Sequence, residues 1–305
     1  MPPEQPPGKR PWDRVVAATR SGLRRYPKHL ADSVRGGPLE IDSLPELILP
    51  GSVDLAAVWL GHATSMIRLG GVDVLTDPVL SDRIGMSLGA RTFGVPRLVA
   101  RPPDAMPKPR LILLSHAHFD HLDKPSLRRL VDPDTVVITA RRTGKLIPKG
   151  FGEVIELDWG KASNIGGVEI EALRPRHWGA RAALDHWRGY NAYRLAGADK
   201  SVLFAGDTAY TKQFDGINPD LAVFGIGAYE PWDHAHATPE QVWKMFLGCG
   251  AAKLLPIHHS TFELSDEHPD EPLRRLFAAA GDQADRIVGA ALGQIWAGPG
   301  FDKPA

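Results

Sequence analysis

The sequence predicts an α/β protein in which two β-sheets pack face to face and helices cover the outside. Short apolar segments, either β-branched or alternating with polar residues, recur from residue 53 onward and are typical of strands. These segments fall into two groups separated by helical patterns, and a sheet with one apolar face must bury it against another layer. The 305 residues suffice for one large domain or two fused halves, and 43% of them are hydrophobic, an ordinary share for a globular protein.

Residues 1–50 are predicted to form a tail and a basic helical segment, and residues 51–305 to form the main domain. The first eleven residues are proline-rich, which favours a disordered tail, and a helix is expected over 12–26. Residues 9–28 contain seven basic residues and one acidic residue. Two interpretations stay open: a peripheral contact with anionic lipid, or a helix that packs on the body with a solvated basic face.

The remaining elements follow from periodicity and from turn residues. Strands are predicted over 58–60, 66–69, 72–75, 111–114, 135–139, 153–157, 168–173, 192–195, 202–205, 221–226 and 254–257. Helices are predicted over 125–131, 239–246 and 271–280, the second with Thr238 as its cap and Pro239 in its first turn. Residues 78–109 contain Gly, Pro and Arg without a clear period, and a long loop is expected there.

A run of metal-ligating side chains follows the predicted strand 111–114. His116 and His118 alternate and can point to the same side, while Asp120 and His121 lie on the turn that follows. Imidazole and carboxylate suit zinc, and to a lesser extent iron or manganese. So dense a mixed set predicts two ions, about 3.5–4 Å apart, that clamp a substrate for hydrolysis.

Three further candidate ligands are dispersed along the chain, and each follows a predicted strand. They are His177, Asp207 and His258. Loops at strand ends on a rigid scaffold are where metal ligands and catalytic groups tend to lie. Each alone is weak, but together with the histidine run they form one coherent set.

Composition excludes several classes of protein. The 36 basic and 36 acidic residues cancel, so no nucleic-acid partner is expected. The single cysteine, Cys249, rules out an intrachain disulfide framework and is compatible with the cytoplasm. No N-terminal signal peptide is apparent, and no stretch reaches the ~18 apolar residues of a membrane span. A cytoplasmic protein is expected; peripheral membrane association and a homodimer stay open.

These motifs together resemble the metallo-β-lactamase superfamily over roughly residues 53–298, and within it the N-acyl-phosphatidylethanolamine-hydrolysing phospholipase D group. The histidine run is specific to the superfamily, and the Gly-Ala-Tyr-Glu-Pro segment with the His-Trp pair narrows the resemblance to the group. The segments that carry it are 59–64, 75–78, 115–123, 156–159, 176–178, 205–208, 225–231 and 257–262. The resemblance implies an αββα sandwich of two mixed β-sheets flanked by helices, with the metals at one edge between the sheets.

The resemblance also implies a ligand set for two zinc ions per chain, with iron or manganese as alternatives. The first ion would be held by His116, His118 and His177. The second would be held by Asp120, His121 and His258, the last preferred over the adjacent His259. Asp207 would bridge both ions.

Other residues are expected to support the site. His62 is expected to be a structural histidine behind it, and Asp77 to orient a ligand or cap a turn. For Asp123 a ligand-orienting role and a helix-cap role stay open, and Trp178 and Tyr229 are candidates for contact with the substrate. The resemblance makes His236, just before a helix, the candidate that protonates the leaving group or orients the substrate, with Asp120 as the other catalytic residue.

The implied activity is hydrolysis of a phosphodiester by a hydroxide that bridges the two metals. The preferred substrate is a phospholipid of the N-acyl-phosphatidylethanolamine type. The alternative is a soluble sugar-phosphate lactone or cyclic phosphodiester; a diiron redox protein of the same fold is less favoured, because such proteins replace the second histidine of the run, here His118, with glutamate. An apolar loop over residues 84–99 would favour acyl chains, whereas a basic one would favour a small phosphate. The loop contains both kinds of residue, so the choice between a lipid and a soluble substrate stays open. The chain also departs from the group where Trp232 follows Glu230-Pro231, with no arginine and a shorter connection to His236.

Overall fold

The computed structural model describes residues 27–34, 39–51, 53–88, 91–181 and 185–298. The predicted tail, the helix over 12–26 and nearly all of the basic segment 9–28 lie outside the described residues. Residues 27–34, for which no helix was predicted, are helical (α1), and the Ser33 hydroxyl donates to the carbonyl oxygen of His29 at 2.6 Å.

The described residues form three further α-helices, two short 3-10 helices (Gly144–Leu146 and Gly281–Arg286) and fifteen strands. The helices are α2 (Lys124–Arg129), α3 (Pro239–Cys249) and α4 (Glu271–Ala280). The strands are β1 (Leu55–Gly61), β2 (Thr64–Leu69), β3 (Val72–Thr76), β4 (Arg83–Leu88), β5 (Arg91–Pro96), β6 (Leu111–Leu114), β7 (Val136–Ala140), β8 (Glu153–Leu157), β9 (Ala162–Ile165), β10 (Val168–Leu173), β11 (Ala192–Gly197), β12 (Lys200–Phe204), β13 (Leu221–Gly225), β14 (Lys253–Ile257) and β15 (Ile295–Ala297).

Two mixed sheets form the body of the molecule, as predicted. The first has the strand order β15-β1-β2-β3-β6-β7-β8, and the second has the order β14-β13-β12-β11-β10-β9. In each sheet an antiparallel portion continues into a parallel one: β3, β6, β7 and β8 are parallel in the first, and β12, β13 and β14 in the second. The carboxyl ends of the parallel strands therefore meet at one edge of each sheet, where ligands commonly bind.

The apolar core shows that the sheets face each other with helices outside. One buried cluster joins residues of both sheets, including Ile67 and Ile138 of the first and Tyr193 and Val223 of the second. A second cluster lies between the second sheet and helices α3 and α4, and a third lies on the outer face of the first sheet against α2. The layers are thus α, β, β and α, which confirms the predicted fold class.

The helices begin and end close to the predicted positions because their caps are encoded locally. In α3 the Thr238 hydroxyl accepts from the Gln241 amide while the Gln241 side chain accepts from the Thr238 amide, a capping box next to Pro239. Helix α4 matches its prediction, and α2 ends two residues before the predicted 131. No helix among the described residues is long and apolar enough to cross a membrane.

The predicted loop 78–109 was wrong in its centre, where β4 and β5 form a separate antiparallel hairpin. Gly85 and Gly94 pair across the hairpin at φ 144° and 152°, and a Cβ at Gly85 would collide with the carbonyl oxygen of Phe93. Such close pairing needs glycine in both strands, and glycine weakens the sequence signal of a strand. Strands β9 and β15 were also missed, one because its residues are mostly polar and the other because it has three residues.

Candidate metal centre

The histidine run and the dispersed candidates come together at one edge between the two sheets. His116 and His118 follow β6, and His177 follows β10 of the opposite sheet. Asp207 follows β12 and His258 follows β14. Gly206, at φ 57°, packs so tightly that an added Cβ would lie 2.8 Å from Cβ of Ser115, so this glycine brings the Asp207 loop against the histidine run.

One group of side chains is composed of three histidines and a carboxylate, here called the histidine half. His116, His118, His177 and Asp207 each offer a ligand atom, and these atoms lie within 4.8 Å of one another. Nε2 of His116 is 2.7 Å from Nδ1 of His118, and Nε2 of His177 is 3.6 Å from Oδ2 of Asp207. These are the residues expected to hold the first ion, together with the expected bridge.

A second group contains Asp120, His121 and His258 and is here called the aspartate half. Oδ2 of Asp120 is 3.6 Å from Nε2 of His121 and 3.5 Å from Nε2 of His258. These are the residues expected to hold the second ion. His62 belongs to the same group of candidate ligands, and its Nε2 is 2.9 Å from Oδ2 of Asp120.

Asp207 faces both halves. Its Oδ2 is 3.1 Å from Nε2 of His121, and its Oδ1 is 3.3 Å from Nε2 of His258. Oδ2 also lies 3.6 Å from Nε2 of His177, so the carboxylate contacts both halves.

The chemistry of this donor set fits divalent metal ions. Nε2 of His121, His177 and His258 are buried and have no hydrogen-bond partner among the described residues. A buried polar atom without a partner costs free energy, and bound metal ions would give all three nitrogen atoms a partner. Burial lowers the pKa of His116, His118 and His177, so these imidazoles are neutral, the form that binds metal.

The aspartate half has a different charge balance. Burial alone would lower the pKa of His121, but the carboxylates of Asp207, Asp120 and Asp77 together raise it well above its usual value. Likewise, against the effect of burial, His121 and His258 hold the pKa of Asp207 well below its usual range. Both carboxylates of the cluster are therefore anionic, and a metal would take the place of the proton shared with the imidazoles.

Asp77 contacts the loop of residues 115–122 that follows β6 and carries the histidine run, here called the ligand loop. Its Oδ2 is 2.7 Å from Nδ1 of His121, which leaves Nε2 of His121 facing the cluster. Ser115 donates to the same carboxylate through its amide, at 2.7 Å, and through its hydroxyl, and the hydroxyl also lies 2.8 Å from Nδ1 of His116. Such contacts fix the tautomer and direction of a metal-binding imidazole.

His62 lies behind the cluster and holds Asp120. Its carbonyl oxygen accepts from the Trp59 indole at 2.8 Å and from the His258 amide at 2.7 Å. It is buried, and burial lowers its pKa to about 3, so its imidazole is neutral. These contacts are those of the structural histidine expected from the sequence.

Three other candidates lie outside the cluster. Asp123 caps α2, accepting from the Ser126 amide at 3.1 Å, so of its two open roles the structure shows the helix cap. His259 stacks on Trp59 with ring centroids 4.3 Å apart, whereas the adjacent His258 faces the cluster. The hydroxyl of the buried Tyr229 donates to Glu271 at 2.9 Å, and Tyr229 does not line the pocket described next.

A pocket of about 380 Å³ opens onto both halves of the cluster. The hairpin contributes Ile84 and Val95 to its walls, and Trp178 and Trp232 contribute two indoles. Its full lining is Ile84, Gly85, Val95, His118, Phe119, Asp120, Trp178, Asp207, Ala228, Trp232, His236, His258 and Leu264. No lysine or arginine among the described residues lines it.

His236 lines the same pocket, at the position expected of a residue that contacts substrate. Its Nδ1 is 3.8 Å from Oδ2 of Asp207, and its amide donates to the carbonyl oxygen of Trp232 at 2.9 Å. Burial lowers its pKa to about 4, so the imidazole is neutral at neutral pH.

Sequence reasoning missed two residues that shape the cluster, Ser115 and Arg181. Nη1 of Arg181 donates to the carbonyl oxygens of Ala117 and Leu122, at 3.1 and 2.8 Å, and the guanidinium lies over Phe119 at 4.1 Å. It thereby clamps the ligand loop from outside. No local pattern marks Arg181, since its partners are about 60 residues earlier, whereas Ser115 adjoins the histidine run.

A family model described as "Beta-lactamase superfamily domain" matches residues 73–259, which contain the whole cluster. The chain belongs to this superfamily. It is 30% identical over 272 residues to N-acyl-phosphatidylethanolamine-hydrolyzing phospholipase D 1 of Caenorhabditis elegans, covering 79% of this chain and 75% of that protein. It is 30% identical over 287 residues to the mitochondrial N-acyl-phosphatidylethanolamine-hydrolyzing phospholipase D of Saccharomyces cerevisiae, covering 84% of this chain and 60% of that one.

A protein of Mycobacterium tuberculosis described as uncharacterized is 32% identical over 248 residues, which are 74% of this chain but only 64% of that protein. Among solved structures, an isothiocyanate hydrolase from Delia radicum gut bacteria has a TM-score of 0.61 at 19% identity, covering 81% of this chain and all of that one. CmlA, a diiron β-hydroxylase from Streptomyces venezuelae, has a TM-score of 0.53 at 19% identity, covering 79% of this chain and 53% of that one. These structural likenesses support the fold alone.

Proposed function

We propose that the chain is a two-metal hydrolase that cleaves phosphodiesters in phospholipids of the N-acyl-phosphatidylethanolamine type. The observation that carries the proposal is the apolar pocket that opens directly onto His118, Asp120, Asp207 and His258. A pocket built for a small phosphate is expected to present basic side chains, and the described lining has none.

The two halves of the cluster would each hold one ion. His116, His118 and His177 would hold the first and Asp120, His121 and His258 the second, with Asp207 shared. Imidazole and carboxylate donors favour zinc over iron or manganese. When bound, such an ion pair supplies a nucleophile from water at neutral pH and stabilises the charge that develops on phosphoryl oxygens.

The surrounding residues hold the donor side chains in place. Asp77 and Ser115 fix the imidazoles of His121 and His116, and His62 holds the carboxylate of Asp120. Two divalent ions would outweigh the two carboxylates of Asp120 and Asp207. The resulting net positive charge suits an anionic phosphodiester rather than a neutral ester.

His236 is suited to orient the substrate rather than to protonate it. Because burial lowers its pKa to about 4, little of the imidazolium form exists at neutral pH. Its neutral imidazole retains one N–H, which can donate a hydrogen bond to a phosphoryl or leaving oxygen in the pocket. Of its two expected roles, substrate orientation is therefore the one proposed.

The pocket walls supply the apolar surface that a lipid requires. Ile84 and Val95 of the hairpin and the indoles of Trp178 and Trp232 surround the space beside the cluster. Burying apolar area of an acyl or glyceride chain contributes about 25 cal/mol for each Å² removed from water. The names of the nematode and yeast relatives, both phospholipases D that hydrolyse N-acyl-phosphatidylethanolamine, support the same substrate class.

The test compares two substrates on one zinc-loaded sample: N-acyl-phosphatidylethanolamine in mixed micelles and soluble bis(p-nitrophenyl) phosphate. Release of phosphatidic acid from the lipid, faster than turnover of the soluble ester, is the expected result. Turnover of the soluble ester alone would move the assignment to the lactone or cyclic phosphodiester class. Cleavage of neither substrate by the zinc-loaded sample would contradict the proposal.

A further inference from the structure

A second pocket adjoins the metal pocket and differs from it in charge. It has a volume of about 240 Å³ and is lined by Met86, Ser87, Phe119, Lys124, Arg128 and Arg181. Phe119 lines both pockets, so the two are neighbours. The second is called the basic pocket below, because three of its six lining residues are cationic and none is acidic.

The acids closest to the basic pocket have other partners. Asp123 caps α2 and accepts from the hydroxyl of Ser81 at 2.5 Å. Asp185 pairs with Arg188 at 2.5 Å and accepts from the backbone amide of Arg181. Neither carboxylate lines the pocket.

Two of the cations have no anionic partner within the described part of the chain. Neither Lys124 nor Arg128 forms an ion pair with a residue that the structure describes, whereas Arg129, the next residue of α2, pairs with Asp104 at 2.9 Å. The cations instead face one another: burial first, and then the charges of Arg181 and Arg128, lower the pKa of Lys124. Unpaired like charges around one concave space attract an anion.

We propose that the basic pocket binds a second anionic group, a phosphate or a carboxylate, carried by the phosphodiester whose scissile phosphorus lies at the metal cluster. The inference rests on the proposed function for its reacting group. Lys124 and Arg128 provide charge, and Arg181, whose guanidinium also donates to the carbonyl oxygens of Ala117 and Leu122, provides a third cation in the same pocket. N-acyl-phosphatidylethanolamine has no second anion, so the basic pocket would widen the proposed substrate class and favour phospholipid diesters with an extra negative charge over otherwise identical ones without it.

The first experiment measures binding and needs no turnover. Inorganic phosphate is titrated into the zinc-loaded chain by calorimetry, for the native sequence, for Lys124→Gln/Arg128→Gln and for the matched control Arg129→Gln, which removes a neighbouring charge on the same helix. Two phosphates per chain are expected for the native sequence and the control. The double variant should bind the second phosphate at least about tenfold more weakly, the scale of a charge-assisted hydrogen bond. Equal binding by all three would overturn the proposal.

A conservative variant separates charge from packing. Lys124→Arg/Arg128→Lys retains both positive charges and should bind the second phosphate within a fewfold of the native sequence. If this variant lost the second phosphate as fully as the glutamine variant, local structure rather than charge would explain the loss, and the anion site would be rejected.

The second experiment identifies the source of the anion. Dihexanoyl-phosphatidylserine and dihexanoyl-phosphatidylethanolamine, presented below their critical micelle concentrations, differ by one carboxylate. The native sequence should favour the serine lipid by about tenfold in kcat/KM, and Lys124→Gln/Arg128→Gln should remove most of that preference. The preference could be absent on monomers while phosphatidylglycerol added to phosphatidylcholine vesicles accelerates lipid hydrolysis by the native sequence and not by the double variant. In that case the anion belongs to a neighbouring lipid. If the native sequence shows neither dependence, the substrate proposal fails.

The two failures are distinguishable. Loss of the second phosphate in the binding experiment, with no lipid cleaved, would support the anion site and contradict the proposed function. Lipid cleavage with unchanged phosphate binding would support the function and reject the anion site.

Discussion

The histidine half and the aspartate half of the cluster lie side by side but differ in protonation. Burial lowers the pKa of all three imidazoles of the histidine half, His116, His118 and His177. In the aspartate half, against the effect of burial, nearby carboxylates raise the pKa of His121 and His258. One half therefore offers neutral ligands, whereas the other stores protons that a metal must displace, although both use the same residue types.

The largest expected effect comes from removing the residue that the halves share. In Asp207→Ala both halves lose a carboxylate, so hydrolysis should be abolished and bound metal should fall below one equivalent per chain. Elemental analysis and the lipid assay on the same sample measure both. The exposed Asp215→Ala is the control and should retain metal and activity. Full activity in purified Asp207→Ala would reject the whole cluster assignment.

A substitution in the histidine half should separate the two ions. His118→Ala should abolish hydrolysis and lower bound metal, while the aspartate half still holds its ion. Elemental analysis should then find about one equivalent of metal, half of the two-metal requirement. A sample that retained two equivalents and full activity would show that His118 is not a ligand.

The next effect concerns orientation in the aspartate half. Asp77→Asn keeps the size of the side chain but removes the charge that faces Nδ1 of His121 at 2.7 Å. Loss of such a supporting contact typically weakens metal binding by about 10- to 100-fold. Competition with a zinc chelator measures the affinity, and the ion of the aspartate half should be affected most. Unchanged zinc affinity would show that Asp77 serves the turn and not the metal.

A smaller effect is expected for His236, which lies beside the cluster but is not one of the expected metal ligands. His236→Ala should retain both metals and reduce kcat/KM for the lipid by at least about tenfold. Since the neutral imidazole is proposed to donate a hydrogen bond, His236→Gln should recover part of the activity. A drop in metal content would make His236 a ligand, and unchanged kinetics would make it a residue of the pocket wall alone.

The smallest effect is expected from lowering the pH. The pKa values of His121 and His258 are raised in the metal-free chain, so protons compete with metal for these two imidazoles even at and above the pH at which histidine usually titrates. The metal affinity of the aspartate half should therefore fall as the pH falls. The lowered pKa values of the histidine half mean that no such competition begins until the solution is more acidic. Dialysis at about pH 6, just below the reference value of histidine, should leave the histidine half more fully occupied than the aspartate half. Equal loss from both halves would contradict the difference in protonation.

The sequence predicted the layers and the histidine run because both are local signals. Residues 111–121 join an apolar strand to ligands within one short segment, and the caps of α3 are three residues apart. His177, Asp207 and His258 were grouped because each follows a predicted strand, and only the resemblance divided them between two ions, since no spacing rule connects ligands that are tens of residues apart. The structure brings all of them to one edge.

The parts that sequence reasoning missed depend on long-range contacts. The hairpin β4–β5 depends on a glycine pair that weakens the strand pattern, yet it forms a wall of the pocket. Arg181 contacts carbonyl oxygens about 60 residues away, and Tyr229, expected near the substrate, turns its hydroxyl to Glu271. Which cations line a pocket, as Lys124 does, cannot be read from net charge, which is zero for the whole chain.

The most direct test of the two-metal centre is a titration of zinc into the chelator-treated chain, with hydrolysis of N-acyl-phosphatidylethanolamine as the readout. Activity is expected to rise until two equivalents of zinc per chain are bound, because both halves of the cluster are proposed to act on one phosphodiester. Saturation at one equivalent, or hydrolysis that does not depend on added metal, would contradict the two-metal proposal.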